Sequence, residues 1–251
     1  NDSSRLFADT TQWLFGFYTL QSEESLRREY TFLAGDFLSD YDFDTTAAFF
    51  QLDSELSEKL VLETGLRFER RDTRYRDSEL LSFDPEESFW GGRIALKYLV
   101  NEKTMAYASV ARGYKAGGFN TDGTLDADLR EFDEEFLIEY ELGLKSNLLD
   151  DRLHLKAALF HDDRKDQQVK SSTGRIRANG STEFIDYFGN AAEGTNNGVE
   201  LEARWSPTQR LGLTASMGLL DATFDSFLNS EQQDLSGRDQ AHAPGYMAHL
   251  A

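Results

Sequence analysis

The chain has 251 residues, no cysteine and a formal net charge of -19, with a pI of about 4.6 and a mean hydropathy of -0.55. The lack of thiols excludes a disulfide framework and thiolate metal sites, and the acidic balance argues against nucleic acid, whose phosphates need a basic surface. No apolar run approaches the ~18 residues of a membrane helix, yet a membrane β-barrel stays open, because its strands alternate apolar and polar residues and average to a polar hydropathy.

The chain opens on a polar stretch, Asn1 to Asp9, without the features of a secretory signal. The expectation is a segment internal to a longer protein, or one already processed. Trp13–Leu20 follows, apolar on both parities. From Leu60 the pattern has period two: Leu60, Leu62, Leu66 and Phe68 share one parity, while Glu63, Gly65, Arg67 and Glu69 share the other. A strand sends alternate side chains to opposite faces, so this stretch has one greasy face and one charged face. Ile94, Leu96 and Tyr98 alternate with Arg93, Ala95 and Lys97. Thr104–Val110 shows no decisive parity. Phe136, Ile138, Tyr140, Leu142 and Leu144 alternate with Glu139, Glu141, Gly143 and Lys145. Val199, Leu201, Ala203 and Trp205 alternate with Glu200, Glu202 and Arg204, and Leu211–Leu219 repeats the pattern against Arg210, Gly212, Thr214 and Ser216.

Connections alternate in length. Ser57–Lys59, Asn101–Lys103, Leu149–Asp151 and Ser206–Gln209 leave almost no loop, whereas the polar stretches Arg70–Ser88, Gly113–Glu135, Asp162–Asn196 and Asp225–Ala241 read as long loops. Short periplasmic turns and long extracellular loops are the habit of outer-membrane barrels. The expected fold class is therefore all-β: an antiparallel up-and-down transmembrane barrel segment of about ten strands, several near the ~9–11 residues that cross a bilayer at a tilt. A soluble sheet with one buried face also shows period two. It fits less well, because a charged face persists along every clear strand and Trp13, Trp90 and Trp205 sit near strand ends, where barrels carry aromatic girdles.

No catalytic constellation emerges. His154, His161, His242 and His249 lack the spacing of a metal site, and rim or lumen polarity is their ordinary reading. The acidic run Asp126, Asp128, Glu131, Asp133, Glu134 and Glu135 lacks the glycine and spacing of a calcium loop and reads as a solvated loop. Gly113, Gly117 and Gly118 lie where a strand runs into a polar loop, which suits a barrel rim better than a phosphate cradle. No catalytic residue, metal ligand or cofactor is assigned.

Four motifs in order resemble the barrel of TonB-dependent receptors: Ala111-Arg-Gly-Tyr-Lys-Ala-Gly-Gly-Phe-Asn120, Tyr140-Glu-Leu-Gly-Leu-Lys145, Asn197-Gly-Val-Glu-Leu-Glu202, and Leu235-Ser-Gly-Arg238 followed by Ala243-Pro244. The resemblance runs from about Thr45 to the end, and its wording is of the siderophore-receptor type. It implies that residues 1–251 are part of a receptor barrel whose plug domain and last strands are not in this chain, since such barrels have about 22 strands. It further implies the bacterial outer membrane with its lipid and lipopolysaccharide, uptake of a ferric siderophore or similar small iron complex, and energy from the TonB complex acting through the plug. Arg112, Tyr114 and Lys115, near the mouth, are then candidate ligand contacts, although they serve equally well to stack and pair within the wall. A passive porin-like channel is the alternative, as is, more remotely, an outer-membrane enzyme.

Overall fold

The computed structural model describes residues 10–30, 35–177, 180–229 and 233–251, with a two-residue strand at Arg5–Leu6. Ten main strands follow one another: β1 Thr11–Arg28, β2 Phe37–Ser57, β3 Leu60–Asp77, β4 Glu86–Asn101, β5 Thr104–Lys115, β6 Glu135–Leu148, β7 Leu153–Ile176, β8 Thr182–Thr208, β9 Leu211–Phe227 and β10 Tyr246–Leu250. Each pairs antiparallel with its sequence neighbours in one continuous sheet. The expected meander is therefore the observed one. Its outer long strands are β1, which among the described residues meets Arg5–Leu6 at its start on its outer side, and β10.

Register shows why the alternation reads so cleanly. Directly opposed residues share a face, and one transverse row runs Ser54, Leu62, Leu96, Ala108, Leu142, Leu159, Val199, Leu219, Tyr246 across nine strands. A row of the other parity runs Gln51, Gly65, Arg93, Ala111, Glu139, Asp162, Asn196, Ala222. The first face is apolar yet open: Ile94 is 60% exposed, Leu142 58% and Phe68 56%. Sheets of soluble proteins cover such a face; a barrel turns it to lipid. Trp13–Leu20, apolar on both parities, resolves the same way. Trp13, Phe15 and Phe17 oppose Leu52, Phe50 and Ala48 on the lipid face, and Leu14, Tyr18 and Leu20 point to the lumen side.

The expected short turns all close hairpins at one rim. At the Leu149–Asp151 turn three consecutive non-glycine residues adopt left-handed backbone, with φ of 54, 55 and 62°. Asp tolerates that region better than most residues; Leu149 is strained there.

The opposite rim corrects two of the four expected long loops and keeps the other two, Asp225–Ala241 lying almost wholly in the connection 228–245. Asp162–Asn196 is almost wholly a hairpin: β7 runs to Ile176, β8 starts at Thr182, and the connection is residues 177–181. Arg70–Ser88 likewise consists largely of strand, with the loop reduced to residues 78–85 around a short Ser82–Phe83 pairing. The reason is solvent. β8 has 27 residues, which at ~3.3 Å each is ~90 Å, about three times the ~30 Å hydrocarbon core. Above the membrane the outward face meets water, so it carries charge and the apolar half of the alternation vanishes while the backbone ladder continues. On β3 the change falls between Phe68 and Arg70. Beyond it Arg70, Arg74 and Arg76 pair outward with Asp72 and Glu86, Asp44 and Asp84. Gly113–Glu135 keeps a true loop, residues 116–134, and that loop builds the site.

Candidate functional site

Within the membrane belt the lumen face is a wall of paired charges. Glu63 bonds Lys97 and lies 3.7 Å from Arg93. Arg67 pairs with Glu69, and the Tyr114 hydroxyl joins them, donating to Glu69 at 3.0 Å and accepting from Arg67 Nε at 3.2 Å. The Tyr114 ring stacks on Phe89 at 4.8 Å and crosses above Gly91, where a Cβ would come within 3.1 Å of it. Glycine at that position makes room for the ring. Tyr107 does the same over its cross-strand partner Gly143.

Above the belt, residues 116–134 do not extend into solvent. They fold back across the lumen face as a strap. Its two limbs pair as a small ribbon, Gly118–Phe119 with Glu131–Phe132, and a single 3-10 turn, Ala127–Leu129, lies between them. On one side Asp122 accepts hydrogen bonds from Arg28 at 2.6 Å and from the Tyr30 hydroxyl at 2.7 Å, at the end of β1. On the other side Asn120 both donates to and accepts from the Phe188 backbone at 2.8 Å on β8. Gln168 of β7 donates to the carbonyls of Ala116 and Asp133 at 2.9 Å, and the Gly117 N–H donates to Glu87 at 3.1 Å. In the middle Arg130, 1% exposed, is ion-paired with the fully buried Asp77 side chain. It also reaches the Tyr75 hydroxyl at 3.4 Å, and Phe119 stacks on Tyr75 at 4.5 Å.

Strap and wall enclose a cleft of about 320 Å³, lined by Glu24, Ser39, Tyr41, Tyr75, Phe119 and Thr121. Beside it the Arg71 guanidinium lies 4.1 Å from the Phe43 ring and donates to the Tyr41 hydroxyl. Burial shifts the ionisable groups here. It pushes the Tyr75 phenol up to about 12, with Arg130 opposing and Asp77 adding to the shift. It raises Tyr41 against the pull of Arg71. It also raises Glu87, although the Gly117 N–H opposes this. For Asp122 burial works upward too, but the hydrogen bonds from Thr124 and Tyr30 outweigh it and hold the carboxyl below its ordinary value. The tyrosines are therefore neutral donors at any physiological pH. A larger depression, about 830 Å³, lies among Ile94, Leu96, Val110, Leu142 and Leu159; it belongs to the lipid-facing rows and suits an acyl chain rather than a polar ligand.

The structure separates the three residues taken from the sequence. Tyr114 stands on the lumen wall. Arg112 opposes Ile138 and Gly92 on the lipid-facing parity, sandwiched 4.3 Å from both the Trp90 and Phe136 rings, where it belongs to the outer aromatic girdle. Lys115 is exposed where β5 ends. The residues that close over the mouth are Asn120, the last residue of the first motif, and also Tyr75, Asp77 and Arg130, to which no motif pointed. The only trace of these three in the sequence is Arg130, a lone base amid the acidic run. Of the histidines, His161 and His154 hydrogen-bond Asn197 and Asn147, and among the described residues no cluster of His, Asp and Glu could hold a metal ion.

An open antiparallel wall with a lipid face, a charged lumen face and elaborated hairpins on one rim defines a class, the outer-membrane β-barrel. Residues 2–251 match the family described as "TonB dependent receptor-like, beta-barrel", and the chain belongs to that family. Its place is thus the bacterial outer membrane, and its family is one of receptors, not passive porins. The chain is similar to the pesticin receptor of Yersinia pestis, 29% identical over 208 residues that cover 79% of this chain and 29% of the relative. In fold it is similar to the ferric yersiniabactin uptake receptor FyuA from Yersinia pestis (TM-score 0.77, 24% identity, 96% of this chain and 36% of that one). It is also similar to the siderophore receptor PiuA from Acinetobacter baumannii (TM-score 0.70, 16% identity, 99% and 42%). The chain therefore spans about a third of the length of the proteins it matches.

Proposed function

We propose that this wall belongs to a receptor that binds a ferric siderophore or similar small iron complex at its outer mouth and imports it with energy from the TonB complex. That energy arrives through a plug domain, and the protein works by binding and transport rather than catalysis. The observation that carries this reading is the strap-covered mouth. Aromatic rings, an arginine and neutral phenols converge above a charged lumen wall, and a loop folded inward narrows the opening. A concavity lined by rings with a few placed polar groups is the ordinary make of a small-ligand site. The names of the similar proteins, receptors for ferric yersiniabactin and other siderophores, support the ligand class. Tyr114 is the lumen contact retained from the motif, with Arg71 and Tyr41 above it. Arg112 and Lys115 frame the rim. Outer-membrane lipid and lipopolysaccharide surround the apolar face.

The test is growth rescue. An iron-starved strain lacking its own siderophore receptors, given the full-length receptor, is supplied with a panel of ferric siderophores. Rescue by at least one, lost in an Arg71→Ala, Tyr114→Phe double variant that still assembles, supports the reading. Assembly without rescue by any ferric complex refutes the ligand class.

A further inference from the structure

The strap links strands that lie far apart in the sheet. Its anchors fall on the end of β1, on β3, on β7 and on β8, so it forms a chord across most of the resolved arc. Loops that move to admit ligands keep few buried contacts and solvated backbone. The strap has the opposite character. Asn120 and Arg130 are 7% and 1% exposed. The Asn120 N–H is bonded to the Arg130 carbonyl at 2.7 Å. The two terminal nitrogens of the Arg130 guanidinium donate to Asp77, to the Tyr75 hydroxyl and to the Leu125 carbonyl at 3.2 Å, and its face lies 5.2 Å from the Phe37 ring. An ion pair buried to this degree holds only while both partners are present, because removing one leaves an uncompensated charge out of water.

We propose that the strap is a fixed size filter across the outer mouth, and that Arg130 and Asp77 are the positioning residues that set its height over the cleft. Ligands pass beneath or beside a stationary bar, and the bar's closeness to Tyr41 and Tyr75 limits how bulky they are. Specificity then resides partly in two residues that never touch the ligand. The proposal rests on the mouth being the ligand's entry, but its test needs no ligand.

The full-length receptor in outer membranes has two independent readouts. In hydrogen exchange, the bonded strap amides of Asn120, Leu125 and Arg130 are expected to be protected as well as those of β6. Asp77→Asn should speed their exchange on the order of a hundredfold while leaving β4 unchanged. Asn120→Ala, which frees the far end without touching the ion pair, should loosen the same amides and serves if Asp77→Asn fails to assemble. The second readout uses a single cysteine at Ser39→Cys, beneath the strap, labelled from outside intact cells with N-ethylmaleimide and with a polymer-linked maleimide. The polymer should be excluded from the parent receptor and admitted once either anchor is cut. Strap amides that exchange like free loop in the parent receptor overturn the proposal, and so does polymer exclusion that persists after exchange shows the strap released.

Discussion

Tyr107 lies flat across Gly143, its partner on the next strand, so closely that a Cβ on the glycine would sit 2.2 Å from the ring. The same relation joins Phe49 with Gly16 and Phe160 with Gly198, each a directly opposed pair. An aromatic side chain folded over a cross-strand glycine covers bare backbone and pins the register at that point. Gly143→Val should displace the Tyr107 ring and its contact with the Lys145 ammonium. It is expected to lower the folded, heat-modifiable fraction by an amount equivalent to about 1–3 kcal/mol. Gly212→Val is the control, because nothing lies within 4 Å of its Cβ position. Equal loss in both variants would show that strand propensity, not the ring, matters.

Facing follows from the transverse rows. Leu142 belongs to the lipid-facing row, and Glu141, its neighbour, to the lumen face. Arginine at a lipid-facing position near mid-depth costs roughly 2–4 kcal/mol. Leu142→Arg should therefore impair assembly of the full-length receptor far more than Glu141→Arg, as read by protease resistance in outer membranes. Comparable effects would invert or erase the assignment.

The Leu149–Asp151 turn offers a gain. Leu149 holds φ at 54°, a region that costs a side-chain-bearing residue about 1–2 kcal/mol. Leu149→Gly should relieve most of that. Part is lost again because glycine has more freedom in the unfolded chain. A net rise in the denaturant midpoint is expected, and a fall would mean that Leu149 packs usefully in the intact receptor.

The Asp122 anchor sets a pH dependence. Its carboxyl is held below its ordinary value of 3.8 by Thr124 and Tyr30 in the face of burial. A depressed folded value means that the stabilisation is fully present above the unfolded value and is lost as pH falls through the folded one. Strap protection in hydrogen exchange should thus persist through mildly acidic conditions and drop only below the ordinary carboxylate range. Loss at a pH above that range would assign the sensitivity to another group, such as Glu87, whose burial raises its value.

The wall was legible in the sequence because the bilayer enforces it: each residue between Leu60 and Phe68 must choose lipid or lumen, and the choice is written as alternation. Above Arg70 the constraint disappears. The hairpin of β7 and β8 therefore looked like a loop, although its ladder runs unbroken apart from the bulge between Arg164 and Gln168. The ion pair at the centre of the strap was invisible for a different reason. Arg130 and Asp77 are 53 positions apart, and nothing local marks a charged residue in a polar stretch as one that will be buried. For Arg112 the sequence left two readings open, and its stacking on Trp90 and Phe136 accords with a place in the wall. It shares a motif with Tyr114, yet pairing of β4 with β5 ends at Gly92 and Arg112, and beyond that point the Tyr114 ring turns to the lumen wall.

Active movement of the ligand is measured most directly as radio-iron uptake by cells carrying the full-length receptor, with and without a working TonB complex. The cells are given the ferric siderophore that rescues growth, at a concentration where diffusion through porins is negligible. The account predicts that binding to the cells survives loss of TonB while accumulation inside stops. Accumulation that continues undiminished without TonB would contradict it and make the barrel a passive channel.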